Sequence, residues 1–224
     1  MNDERPTIIL IRPDFGKGLE YIYRQVNPPI GLGYLASYLT QNGFKVYILD
    51  LAFRRIGLDV LFSFIRKHKP LFVGLSALTA YYEPMKKLSN NIREMFPELT
   101  IILGGVHASS LPNLAIHECK ADFVIIGEGE KTILELSDLL KKGNRNFSSI
   151  PGIAYKENNQ VQLTEPRSLI DDLDTIPFPA WHKINPHKYP KNPHGFIMKF
   201  SKVAPIFSSR SEERRVGKEC ATGC

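Results

Sequence analysis

The sequence predicts an α/β protein built on a doubly wound, five-stranded parallel sheet. Five short apolar runs, rich in β-branched residues, recur through the first 130 residues. The segments between them carry apolar residues with helical spacing. Strict alternation of strands and helices favours parallel strands joined by right-handed crossovers. The runs are almost continuously apolar, as expected of strands that helices cover on both faces.

The predicted strands are residues 7–11, 45–49, 71–75, 100–103 and 123–126. The helical segments that follow them are marked by apolar residues within 30–39, 61–65, 85–95, 111–115 and 133–140. Asn42-Gly43 is typical of a helix C-terminus, and Pro84 suits the first turn of the third helix. Five such units predict an open sheet of the flavodoxin-like type.

The pattern changes after Gly143. Residues 152–155 and 161–163 flank a polar turn and predict a small C-terminal β-hairpin. The two prolines of Ile176-Pro177-Phe178-Pro179 then favour an extended linker. We therefore divide the chain into a ligand-binding domain (1–143), a hairpin and linker (144–210), and an atypical tail (211–224) that is disordered or foreign.

Composition excludes several classes of protein. The chain of 224 residues is 43% hydrophobic and 23% charged, which is typical of a globular fold rather than a disordered or fibrous one. Three cysteines make a disulfide framework improbable. The net charge of +6 comes from scattered basic pairs, so we expect no nucleic-acid partner. No apolar run is long enough for a membrane span and no signal peptide is evident, so we expect a cytoplasmic protein.

The candidate binding residues follow the predicted strands, because ligands of such sheets lie beyond the carboxyl ends of the strands. Small hydroxyl residues there can hydrogen-bond a ligand, and paired glycines let backbone N–H groups approach a phosphate or ribose closely. A carboxylate between glycines can accept hydrogens from ligand hydroxyls or amides. The candidates are Pro28, Pro29, Ile30, Gly31, Ser76, Ala77, Leu78, Thr79, Gly104, Gly105, Val106, Gly127, Glu128 and Gly129.

Each candidate also has a purely structural interpretation. A glycine pair after a strand is often turn chemistry, Ser76 can satisfy local backbone groups, and Glu128 can cap the next helix. The functional interpretation gains weight because several such loops fall at the same edge of the sheet.

Several motifs carry a resemblance to a known family. The segment Val73–Leu78 and the later pair Gly104-Gly105 are similar to the SxL and GG signatures of cobalamin-binding domains. The resemblance can be narrowed to one group of these proteins by three further segments, residues 28–36, the turn at 127–130 and Ile176–Pro179. From about Thr7 to Arg210, the chain resembles the amino-terminal half of cobalamin-dependent radical SAM enzymes, the group that includes the anaerobic magnesium-protoporphyrin cyclase.

The resemblance implies roles for the candidates. Ser76, Ala77, Leu78 and Thr79 would line the nucleotide tail of cobalamin, and the pair Gly104-Gly105 would let that tail pass against the backbone. Residues 28–31 and 127–129 would border the corrin ring. In an intact parent enzyme, a [4Fe-4S] cluster and S-adenosylmethionine would complete the machinery in a radical SAM barrel, for methyl transfer, cyclisation or rearrangement.

The sequence departs from the family pattern twice. Many cobalamin domains carry DxHxxG after the first strand, but this chain reads Asp14-Phe15-Gly16-Lys17-Gly18. We therefore expect base-off cobalamin without a histidine ligand to cobalt. The second departure is at the end, where Cys220 and Cys224 have the first spacing of a CxxxCxxC motif and no third cysteine follows. They form only a weak partial motif, so we predict no metal site in this chain and a truncation before the barrel.

The sequence thus predicts a cobalamin-binding module that binds but does not turn over by itself. The alternative is a flavodoxin-like module that binds a nucleotide or FMN at the same strand ends. A response-regulator receiver is set aside, because Ser76 stands where the third strand would need a phosphoacceptor aspartate.

Overall fold

Seven strands form a single sheet in the order β2-β1-β3-β4-β5-β6-β7. The structure is a computed structural model that describes residues 4–14, 27–54, 56–76 and 78–189. The strands are β1 (Thr7–Arg12), β2 (Lys45–Asp50), β3 (Phe72–Ser76), β4 (Thr100–Gly104), β5 (Phe123–Ile125), β6 (Ile153–Glu157) and β7 (Gln160–Leu163).

The first five strands are parallel, as the sequence predicted. The strand count of five is a correction, because the predicted hairpin does not stand apart from the sheet. Its first strand, β6, pairs antiparallel with β5 and extends the sheet to seven strands. Ile153 and Ala154 are fully buried, so their apolar side chains favour pairing against the edge of β5 over exposure to water.

Helices cover both faces of the sheet. They are α1 (Ile30–Gln41), α2 (Leu58–His68), α3 (Tyr82–Met95), α4 (Val106–Ser110), α5 (Pro112–Glu118) and α6 (Glu130–Lys141). The predicted fourth helical segment corresponds to α5, and the short helix α4 that precedes it was not predicted. Leu111 leaves the helical conformation between the two, and Pro112 begins α5. Proline suits a first helical position, where its missing N–H removes no intrahelical bond.

Alternate residues of the central strands serve different layers, because successive side chains of a strand point to opposite faces. Leu10 and Ile102 pack with the buried residues of α1 and α6. Ile9 and Ile101 pack with those of α2, α3 and α5. The strands are thus buried on both faces, which explains their continuous apolar sequences.

The segment after β7 folds back along the domain. We call residues 165–189 the connector. It contains two short 3₁₀ turns and otherwise has no regular structure, in agreement with the predicted extended linker. Ile170, Ala180 and Ile184 on the connector are 6%, 3% and 1% exposed, so this segment contributes to the apolar core.

Cys119, predicted to be a buried small hydrophobic residue, is fully buried at the end of α5. Burial raises the pKa of its thiol to about 11, because the thiolate loses its hydration. No helix in the described part of the chain is long and apolar enough to cross a membrane.

The hairpin's membership of the core can be tested by substitution. We expect Ile153→Ala to lower the free energy of unfolding by about 2–5 kcal/mol, since it removes a fully buried side chain. Leu163→Ala, on the same hairpin but at a position 55% exposed, should change stability by less than about 1 kcal/mol. Urea unfolding with unchanged m-values measures both, and equal small effects would contradict the seven-stranded core.

Candidate cofactor-binding groove

A groove of about 550 Å³ opens at the carboxyl ends of the parallel strands. It lies between α1 and α6, on the face of the sheet that these two helices cover. Its lining comes from the strand ends, the loops after β4 and β5, and the two helices: Leu10, Gly31, Leu32, Tyr34, Leu35, Gly74, Leu75, Ser76, Ile102, Leu103, Gly104, Gly105, Val106, Ser109, Ser110, Ile125, Gly127, Glu128, Gly129, Glu130 and Ile133. The lining is mainly apolar with a few polar groups, as in most small-molecule sites.

Glycines keep the groove open. A Cβ built on Gly31, Gly104 or Gly127 would have no other heavy atom within 4 Å, so a larger side chain there would extend into free space. Gly105 and Gly127 have φ values of 95° and 75°, which residues with a Cβ rarely adopt. The groove is therefore bordered by bare backbone at the exits of β4 and β5.

Ser109 fixes the two neighbouring strand exits relative to each other. Its hydroxyl donates to the carbonyl of Ile125 at 3.2 Å and accepts from the N–H of Gly127 at 3.3 Å. The side chain thus links α4 to the end of β5 and the loop after it. Ser110 also lines the groove, but its hydroxyl donates to the Val106 carbonyl of its own helix at 2.9 Å.

Glu128 has a structural partner as well as a position on the groove. Its Oε2 accepts a hydrogen bond of 2.8 Å from the backbone N–H of Ile170 on the connector. From the sequence, this carboxylate is expected to act as a ligand acceptor or a helix cap. The structure adds a third role, since the carboxylate ties the β5 exit to the connector.

The structure brings most of the predicted site residues together. Those that line the groove are Gly31, Ser76, Gly104, Gly105, Val106, Gly127, Glu128 and Gly129. Five predicted residues do not line it: Pro28, Pro29 and Ile30 are buried at the start of α1, Leu78 is 56% exposed, and Thr79 begins a 3₁₀ turn. Ala77, Cys220 and Cys224 lie outside the described residues.

Several residues of the groove are not predicted from the sequence, among them Tyr34, Leu35, Gly74 and Ser109. Leu35 and Ser109 had a detectable signal, because Leu35 lies one helical turn after Gly31 and Ser109 closely follows the paired glycines. Gly74 lies within a strand, where a missing side chain indicates a close approach of other groups.

Histidine is absent from the groove lining as the structure describes it. His107, the histidine nearest in sequence to the paired glycines, packs in a tilted orientation against Tyr82, with ring centroids 4.0 Å apart. Tyr82 belongs to the core layer on the other face of the sheet. Within the described ranges, no group of three or more His, Cys, Asp or Glu residues is placed to hold a metal ion.

Comparisons with known proteins identify the family of this chain. A model of the B12 binding domain matches residues 23–137, and a radical SAM N-terminal model matches residues 83–204. An uncharacterised methyltransferase of Pyrococcus horikoshii is 34% identical over 85% of this chain and 42% of its own length. The anaerobic magnesium-protoporphyrin IX monomethyl ester cyclase of Synechocystis is 27% identical over 88% of this chain and 40% of its own.

A solved structure confirms the fold. The cobalamin-dependent S-adenosylmethionine radical enzyme OxsB, with aqua-cobalamin bound, superposes with a TM-score of 0.68. It is 20% identical, and the match covers 83% of this chain and 25% of that one.

This chain spans about two fifths of the length of the two curated relatives named above.

The parallel sheet and the groove at its carboxyl edge define the class of protein as an α/β cofactor-binding domain. Its predicted resemblance to cobalamin-binding domains is confirmed, because the matched model covers just over half of the chain. The chain belongs to the B12-binding domain family, whose cofactor is cobalamin.

Substitution of the two adjacent serines tests whether the Ser109 hydroxyl stabilises the link between α4 and the end of β5. Ser109→Ala should lower the free energy of unfolding by about 1 kcal/mol, because it removes the bonds to Ile125 and Gly127. Ser110→Ala serves as the control and should stay within about 0.5 kcal/mol, since its hydroxyl is exposed and bonds only within α4. Chemical denaturation distinguishes the two, and equal effects would contradict a linking role for Ser109.

Proposed function

We propose that this chain is the cobalamin-binding module of a B12-dependent radical SAM enzyme and that it holds the nucleotide tail of cobalamin in the groove between α1 and α6. The observation that carries the proposal is the glycine-bordered space at the exits of β4 and β5. Its volume of about 550 Å³ falls within the range of small-molecule sites.

The residues present fit such a tail. Leu10 and Ile102 offer an apolar surface for a flat base. The hydroxyl of Ser76 and the backbone around Gly104 and Gly105 offer polar groups for the ribose and phosphate. Because no Cβ occupies the space at Gly104, the tail can pass directly against the backbone.

We assign the residues at the border of the groove to contacts with the corrin ring. Gly31 and residues 127–129 lie on its lining and would face the ring, with Pro28, Pro29 and Ile30 behind them at the start of α1. Leu78 and Thr79 lie after the exit of β3 and outside the groove lining, and there they would contact the nucleotide tail. The exposed side chain of Leu78 would contribute apolar contact there.

We further propose that cobalamin binds base-off and without a histidine ligand to cobalt. The support is the absence of histidine from the described groove lining and from residues 1–67 of the sequence. When bound, cobalamin supplies a methyl-carrier or reductive centre, and the lack of a strong axial donor favours the lower oxidation states of cobalt.

The activity of a longer parent protein is part of the proposal. The chain spans about two fifths of its curated relatives, which leaves room in such a parent for a radical SAM barrel. We propose that the barrel, with its [4Fe-4S] cluster and S-adenosylmethionine, is the partner of this module. Methyl transfer, cyclisation and rearrangement are the proposed reactions of such a parent, and the two relatives named above are a methyltransferase and a cyclase.

Binding is tested by mixing the purified chain with hydroxocobalamin, removing free ligand and recording the visible spectrum. We expect near-equal stoichiometry, and Gly104→Leu should weaken binding by about tenfold or more, because its side chain fills the groove. Gly57→Leu is the matched control: its Cβ also meets nothing within 4 Å, but it lies at the start of α2, away from the groove. A chain that stays colourless and retains FMN instead would overturn the proposal in favour of the alternative.

Cobalt ligation is tested by electron paramagnetic resonance of the bound cob(II)alamin form. We expect a spectrum without nitrogen superhyperfine splitting, because neither the displaced benzimidazole nor an imidazole donates to cobalt. Free cob(II)alamin at neutral pH, with its own base bound, provides the reference spectrum. Splitting from one nitrogen in the protein-bound form would contradict the base-off arrangement.

A further inference from the structure

The connector packs against the outer side of α1, the helix that forms one wall of the groove. We propose that the connector is a positioning part of the cofactor site, which holds α1 in place beside the groove. The link to cofactor binding rests on the function proposed above. The packing itself does not, and it can be measured without any ligand.

The two sides of α1 have different partners. Gly31 and Leu35 line the groove. Gly33 lies about 160–200° around the helix from both, because each residue advances the helix by about 100°. The carbonyl of Gly33 accepts a hydrogen bond of 3.0 Å from the N–H of Ala180 on the connector. Helix α1 therefore lies between the groove and the connector.

The contact is close because residue 33 has no side chain. A Cβ at this position would lie 2.6 Å from Cδ1 of Ile184 and 3.0 Å from Cβ of Pro179. Ile184 is 1% exposed, so its side chain fills the notch that the glycine leaves. A buried, complementary contact of this kind resists displacement of the helix.

The connector is also attached to the opposite wall. Arg167 donates from Nε to the hydroxyl of Thr132 at 2.7 Å and forms an ion pair with Glu135, both on α6. The carboxylate of Glu128 accepts from Ile170 between these two attachments. The same segment thus contacts both helices that enclose the groove.

The far end of the connector is held at the edge of the sheet. The hydroxyl of Tyr189 donates to Oδ2 of Asp50 at 2.6 Å, and its ring stacks on Phe53 with centroids 4.4 Å apart. Burial raises the pKa of Tyr189 above its usual range, and the neighbouring carboxylate adds to the shift, so the phenol stays a donor near neutral pH. Asp50 also accepts from Arg12, whose Nη1 donates to the carbonyl of Asn27 just before α1.

The test releases the connector without changing α1 or the groove. Ile184→Asp places a charge in the notch at Gly33, whereas Phe178→Asp places the same charge on the same connector at a position 86% exposed. Two quantities are measured for the whole chain: hydrogen exchange of the α1 amides without ligand, and affinity for hydroxocobalamin. For Ile184→Asp we expect exchange to be faster and binding weaker, each by about tenfold or more, since the burial of an isoleucine contributes at least that factor. For Phe178→Asp both should stay within about twofold.

The outcomes separate this inference from the proposed function. The inference is overturned if the Ile184→Asp chain folds and its connector amides exchange freely, while its α1 amides exchange as slowly as in the unaltered chain. If the Ile184→Asp chain does not fold, the same measurements on Ile184→Ala decide, with a smaller effect in the same direction. If the unaltered chain binds no hydroxocobalamin, the proposed function fails, and the exchange rates alone then decide whether the connector holds α1.

Discussion

The groove exists because backbone, and not side chain, occupies the exits of β4 and β5. A Cβ at Gly104 or Gly127 would have no other heavy atom within 4 Å, so the space beside these residues is free for a ligand. The rest of the fold keeps this space open. The parallel strands bring their carboxyl ends to one edge, α1 and α6 stand on either side, and Ser109 holds the β4 and β5 exits together. Close approach to a backbone is what a ligand with a long polar tail requires.

The antiparallel hairpin completes the sheet at the side where a parallel arrangement would end. A three-residue strand such as β5 is weak as an edge, because its unpaired backbone groups would face water or another chain. Pairing with β6 satisfies these groups and buries Ile153 and Ala154. The hairpin also brings Gly152 next to the connector, where its N–H donates to the carbonyl of Glu165 at 2.8 Å. The extra strands therefore stabilise the sheet edge and direct the chain back over the groove helices.

Much of this architecture could be predicted from the sequence, since its signals are local. Continuous apolar runs indicated the five parallel strands, and the paired glycines 104 and 105 indicated the ligand edge. Features that depend on distant packing could not be predicted in the same way. The polar and apolar pattern of residues 152–163 predicts a hairpin but does not show which edge it joins. The notch at Gly33 is visible only once Ile184, 151 positions later, is placed against it.

The same limit applies to the walls of the groove. Tyr34 and Leu35 face it because of the rotation of α1 about its axis, which depends on how the helix packs on the sheet. Leu78 and Thr79 were predicted from their position after β3, but neither lines the groove, and a 3₁₀ turn begins at Thr79. Short motifs identify the edge of a sheet well and the individual contacts at that edge less well.

The pair of Arg12 and Asp50 joins the end of the connector to the segment that leads into α1. One carboxylate receives both the arginine that steadies Asn27 and the phenol at the end of the connector. Asp50 is therefore a shared anchor for two segments that are far apart in the sequence. Loss of its carboxylate would detach the end of the connector and, in the same step, the arginine that donates to Asn27 just before α1.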